Sequence, residues 1–168
     1  MTVLMMSWIV GGAYAGEVAV KLEAEKLTEV PNAVVLNDKL AAGGAPTARG
    51  LGQAAEQGIR TVIDLREPSK ETAQEKDHAD AVGLKYVNIP VSVENFSPEH
   101  ADKLADILKN PSTGPALLHC ATGQRAVAVW ALHRNRHEGV PAAQALLEAK
   151  QKGLQKPELE TKLQTFLQ

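Results

Sequence analysis

Cysteine is almost missing from this chain: Cys120 is the only one in 168 residues. An internal disulfide is therefore excluded, and the thiol is either an inert core group or a reactive one. Aromatics are scarce as well, with two Trp, two Tyr and two Phe, so there are few faces on which nucleobases could stack. Neither charge sign is in excess: 18 basic and 20 acidic residues leave a net charge of −2, with no long run of either. A nucleic-acid partner is not expected. Internal repeats and low-complexity segments are absent. Gly43-Gly44 is not followed by Gly-Lys-Ser/Thr, so it reads as a turn rather than a phosphate loop.

The first 15 residues hold no charged side chain, so the basic start of an export signal is lacking. Its other two parts are present. Val3 to Val10 is apolar, and Ala13-Tyr14-Ala15 has the small-x-small pattern of a cleavage site. The run is shorter than the ~20 residues needed to span a bilayer. The expectation is a signal peptide over residues 1–15, a periplasmic or secreted product, and no stable membrane anchor once the signal is cleaved. An N-terminal arm over 16–30 and one domain over 31–168 would follow.

With 44% hydrophobic residues, this length can build a real core. Ala33 to Leu36 and Leu40 to Ala42 flank Asn37-Asp38-Lys39 as a hairpin, and Gly43 to Pro46 stops the second strand. Strand-like pieces at Thr61 to Leu65, Leu84 to Ile89 and Pro115 to His119 alternate with helix-like ones. Thr47, Ser69 and Ser97 act as caps for three of those helices. Ala126 to Leu132 is almost continuously apolar and predicts a buried helix, and two further helices begin at Pro141 and Pro157. The alternation predicts an α/β fold with a central, mainly parallel sheet of four to five strands flanked by helices.

Within that pattern, His119-Cys120-Ala121-Thr122-Gly123-Gln124-Arg125 joins a strand to the apolar helix. Unpaired N–H groups at a helix start favour a thiolate and collect anions. In parallel sheets ligands bind beyond the carboxyl ends of strands, where this turn lies. Arg125 returns at the same helix start, against the dipole, with a planar fork suited to an oxyanion. Gly123 lets the backbone turn its amides inward. Cys120 is the candidate nucleophile, Arg125 the anion clamp, and Ala121, Thr122, Gly123 and Gln124 the substrate-binding loop. Asp64, near a strand end, is expected to orient Arg66 or cap a turn. His133 and His137 are spaced i,i+4 like two metal ligands, but they read as helix-end cations among arginines. No metal or other cofactor is called for.

Asn37-Asp38-Lys39-Leu40-Ala41-Ala42-Gly43-Gly44-Ala45-Pro46, T-V-I-D-L-R, Y-V-N-I-P-V and H-C-A-T-G-Q-R together resemble the cysteine-dependent protein tyrosine and dual-specificity phosphatase superfamily. The nearest branch is the bacterial one known from domains fused to beta-lactamase-like hydrolases. The likeness spans roughly residues 31–150. It implies a phosphatase-like fold and hydrolysis of phosphomonoesters, possibly of phosphotyrosine, through a phosphocysteine on Cys120. It also implies a general acid in Val91 to Phe96, where Glu94 is the candidate, and a supporting His119 beneath the loop that tunes the thiol. Asp102 is a second, more distant acid.

Two departures qualify that implication. Four residues separate Cys120 from Arg125 where the superfamily has five, a spacing shared with the bacterial branch and similar to rhodanese-type sulfurtransferases. Ala126 stands where the family places the Ser or Thr that helps the thiolate leave, so turnover slows unless Thr122 supplies a hydroxyl. Sulfur transfer through a Cys120 persulfide, and non-catalytic oxyanion binding, stay open beside phosphate hydrolysis. In each case the partner is a phosphorylated or other oxyanion ligand.

Overall fold

The structure, a computed structural model, describes residues 21–168; the expected signal peptide and the first residues of the arm lie outside them. The hairpin forms as β1 (Val34–Asn37) and β2 (Leu40–Gly43), with Asn37 Oδ1 accepting from the Lys39 N–H to hold the turn. Then follow α1 (Ala48–Glu56), β3 (Thr61–Asp64), α2 (Lys70–Ala81), β4 (Lys85–Asn88) and α3 (Pro98–Lys109). The last third holds β5 (Ala116–His119), α4 (Gln124–Glu138), α5 (Ala142–Gln151) and α6 (Pro157–Phe166). The caps read from the sequence form: Thr47 accepts from the Gly50 N–H, and Ser69 and Thr72 satisfy one another's backbone.

The sheet runs β1-β2-β5-β3-β4, parallel except for the hairpin. β2, β5 and β3 are buried along their whole length, whereas β1 and β4 are partly open. This is what a sheet covered on both faces requires of its middle strands. Alternation divides the side chains between two cores. Ile63, Leu118 and Cys120 join α3 to α6, with Ala126 to Leu132 of α4 at the centre. Val62 and Leu117 face the other way, toward α1 and α2. No helix among the described residues is long and apolar enough to cross a membrane.

The described part of the arm packs onto α1. Leu22, Leu27 and Val30 are buried with Leu51, Ala54 and Ile59, and Glu29 accepts from the Thr47 N–H at 3.1 Å. Gly43-Gly44, read as a turn, differs in the structure. Gly43 is the last residue of β2, in register with His119, and Gly44 forms an isolated bridge to Thr122. The strand continues because the neighbouring loop offers it a backbone partner.

The arm makes the two glycines of α1 unequal. A Cβ on Gly50 would lie 2.5 Å from the Glu29 carbonyl oxygen, whereas one on Gly52 would meet nothing within 4 Å. Gly52→Ala should stabilise by about 0.5–1 kcal/mol through helix propensity. Gly50→Ala should destabilise by about 1–3 kcal/mol through overpacking. Urea titrations of the two variants check both signs.

Candidate active site

β5 lies between β2 and β3, and its carboxyl end delivers Cys120 to the middle of the sheet edge. The ladder carries on past the strand: the Cys120 N–H donates to Gly43 O at 3.3 Å, and the Leu65 N–H to His119 O at 2.8 Å. The loop then turns through exposed Ala121 and Thr122 to Gly123, which has φ of 91° and caps α4. Only glycine takes this conformation without strain. A Cβ there would also lie 3.2 Å from the Gly43 carbonyl carbon. The loop backbone is held from outside: the Ala45 N–H donates to Ala121 O, and Asn32 Nδ2 to Thr122 O.

The Gly123 N–H donates to Cys120 Sγ at 3.2 Å, aiming a helix-start dipole at the sulfur. The thiol itself is buried. Arg125 reaches across the ends of β3 and β4, where Nη1 donates to Leu65 O at 3.3 Å and to Val91 O. Gln124 is turned elsewhere. Its Nε2 donates to Gly153 O at 2.6 Å and its Oε1 accepts from the Gln155 and Lys156 N–H groups, so its contribution to the loop is backbone only. A cavity of about 330 Å³ borders the loop, lined by Asn32, Thr122, Gly123, Lys152 and Gln155 among others, but by neither Cys120 nor Arg125.

Glu94 sits on an exposed turn between buried Val91 and buried Phe96. Reciprocal bonds between Ser92 and Asn95 fix that turn. A hydrogen bond with Ser92 and its own backbone amide hold the Glu94 carboxyl below its ordinary value. Asp102 is paired with Arg136 and His137 at the far end of α4, and its carboxyl is lowered by those contacts.

Behind the loop, on the α2 side of the sheet, lies a buried charged cluster. Asp64 orients Arg66 and caps the turn, accepting from the Arg66 backbone at 2.9 Å and from its guanidinium at 2.7 Å. Arg66 Nη2 also donates to Glu75 Oε2 at 2.5 Å, and the Tyr86 hydroxyl donates to Asp64 Oδ2 at 2.7 Å. His119 Nε2 lies 2.7 Å from Glu75 Oε1 and 3.9 Å from Asp64 Oδ1. The closer approach is off the ideal hydrogen-bond line and reads as a charge contact. Burial alone would push the Asp64 carboxyl up, but Arg66, His119 and Tyr86 outweigh it and hold it below its ordinary value. Burial and the bond to Asp64 raise the Tyr86 phenol.

Asp64, Glu75 and His119 bring three potential metal ligands within 4.8 Å. The Arg66 guanidinium stands between the two carboxylates, in the position a cation would take, so the cluster is an ion-pair network. His133 and His137 stack on each other, paired with Glu138 and Asp102 respectively. Glu75 and Tyr86 were not legible as site residues. The available signal was an acid on the inward stripe Thr72, Glu75, Ala79 of an otherwise polar helix.

The profile of a family described as DSP-PTPase phosphatase fused to NAD+ kinase matches residues 20–165. No curated protein sequence matches the chain. Among solved structures, a candidate phosphatase (DUF442) from Shewanella putrefaciens CN-32 is similar at 21% identity and TM-score 0.69, covering 87% of this chain and all of its own. TpbA of P. aeruginosa, solved in complex with pTyr, is 15% identical with TM-score 0.69, covering 90% of each chain. The core catalytic domain of the PP-IP phosphatase SIW14 from S. cerevisiae, in complex with citrate, is 15% identical with TM-score 0.65, covering 82% of this chain and 86% of its own. The fold is thus phosphatase-like, with a five-stranded, mostly parallel sheet.

The lowered Asp64 carboxyl has a defined acid signature. Its stabilising contribution is complete above the unfolded value near pH ~4 and is lost as pH falls through the lower folded one. Asp64→Asn should be less stable than the wild type at neutral pH, with the gap closing in acid. Urea titrations across pH measure this, and a constant gap would contradict it.

Proposed function

Because the chain belongs to the family of DSP-PTPase phosphatases fused to NAD+ kinase, we propose that it hydrolyses phosphomonoesters through a phosphocysteine on Cys120. The observation that carries this reading is the Gly123 N–H on the Cys120 sulfur, at the carboxyl end of the central strand, with Arg125 on the same helix start. Sγ attacks phosphorus, the S–P bond forms as the P–O ester bond breaks, and the departing oxygen leaves as phenolate or takes a proton from Glu94. Water then cleaves the S–P bond, releasing phosphate and the thiolate. The loop amides and Arg125 stabilise the equatorial oxygens as charge develops.

Glu94 is the one acidic residue between Val91 and Ser97 and is the candidate general acid. Aryl phosphates, whose leaving group depends little on protonation, are the class this reading favours. Phosphotyrosine belongs to it, and TpbA, with the same fold, was solved with pTyr bound. Export rests on Val3 to Val10 and Ala13-Tyr14-Ala15, and would place the reaction in the periplasm or outside the cell.

With an aryl phosphate, Cys120→Ser should abolish turnover, and Arg125→Ala should lower kcat by about 10²–10³, as for loss of one oxyanion donor. Glu94→Gln should cost less than about tenfold with the same substrate, the low end of acid–base catalysis. Equal rates in wild type and Cys120→Ser would overturn the proposal. Buried Ala126 offers no hydroxyl to help the thiolate leave, so stopped-flow traces should show a burst of phenol that Ala126→Ser diminishes.

A further inference from the structure

We propose that Asn32, in the turn before β1, is a positioning residue of the Cys120 loop: it holds the Thr122–Gly123 peptide so that the Gly123 amide faces into the anion site. This rests on the reading of that loop as an oxyanion cradle. Among the described residues Asn32 is the only non-glycine residue with positive φ, at 54°. It follows Pro31 in a turn, and a left-handed residue after proline is what such a turn needs. Glycine would meet that need with less strain. The side chain supplies what glycine lacks: Asn32 Nδ2 donates to Thr122 O at 3.1 Å, 90 positions away. The turn is itself docked on the end of β2, since the Gly44 N–H donates to Pro31 O at 2.6 Å.

A trans peptide is rigid and carries its C=O and N–H on opposite edges. Thr122 O and the Gly123 N–H belong to one such plane. A donor on the oxygen from outside the loop therefore turns the N–H inward, where it meets Cys120 Sγ at 3.2 Å. The loop alone does not fix this plane. Rotating it changes ψ of Thr122 and φ of Gly123, and glycine accepts either sign of φ. The reversed plane would set the Thr122 carbonyl dipole against the sulfur and against any bound oxyanion. The peptide before it is anchored by backbone, through the Ala45 N–H on Ala121 O at 3.3 Å. For the Thr122–Gly123 plane the outer anchor on the carbonyl is the Asn32 side chain.

Two variants separate the side chain from the backbone. Asn32→Gly keeps the left-handed conformation and removes the donor, whereas Asn32→Asp keeps the shape and offers the Thr122 carbonyl only an acceptor at neutral pH. Both should unfold close to the wild-type temperature. Calorimetry with tungstate, a tetrahedral dianion that probes the loop without turnover, should show binding weakened about tenfold in Asn32→Gly, as for loss of one exposed hydrogen bond, and further in Asn32→Asp. Crystals of Asn32→Asp should show the Thr122–Gly123 peptide reversed or in two orientations, against one in the wild type. Wild-type tungstate affinity in both variants, or an unchanged peptide in the Asn32→Asp crystals, would overturn the proposal. A wild type that binds no tungstate and hydrolyses no aryl phosphate would remove the reading of the loop as an oxyanion cradle, and the peptide orientation would still decide the role of Asn32.

Discussion

The site depends on backbone meeting backbone. β2 ends in two glycines, and the loop after Cys120 is held against them by the Cys120 N–H on Gly43 O, the Gly44–Thr122 bridge and the Ala45 N–H on Ala121 O. Side chains on Gly43 or Gly44 would meet Val30 Cγ1 at 2.6 Å or Ala121 O at 3.0 Å. This closeness lets Gly123 turn left-handed and direct its N–H at the sulfur. A wider gap would leave the amide without a fixed direction and the dipole of α4 without a target.

The second constraint is electrostatic. One layer of the sheet below the loop, two carboxylates, a guanidinium and an imidazole are buried together on the α2 side. Such a cluster contributes little net stability, because the desolvation of its charges offsets their attraction. Its value is orientation: it ties β3, β4, β5 and α2 at the edge where Cys120 emerges. The thiol faces the opposite core, among Ala126, Val127 and the other apolar groups of α4. The same strand end therefore carries charge on one face and a dry thiol environment on the other, as strand alternation allows.

Much of this was legible in the sequence because the signals are local. Ser69 with Thr72 starts α2, Asn37-Asp38-Lys39 turns the hairpin, and the apolar run from Ala126 marks a buried helix. The placement of Cys120 at a strand end and helix start followed from that order of elements, as did the pairing of Asp64 with Arg66. Long-range partners were not legible. Glu75 meets His119 across 44 positions of chain, and Asn32 meets Thr122 across 90. Nothing in the run around either residue encodes the meeting. Gly43-Gly44 carried a local turn signal, and the sheet overrode it by supplying a neighbour.

Gln124 makes the C-terminal helices part of the same machine. Its carboxamide grips the connection between α5 and α6 from both sides, through Gly153 O and the Gln155 and Lys156 amides. The first residue of α4 is thus anchored by chain some thirty positions downstream, and the loop before it inherits that anchor. Sequence drift in the α5–α6 connection is then not neutral surface change, since it alters the mooring from which the Gly123 amide is aimed. Evolution can shift the surroundings of the Cys120 thiol from there without touching a residue of the loop.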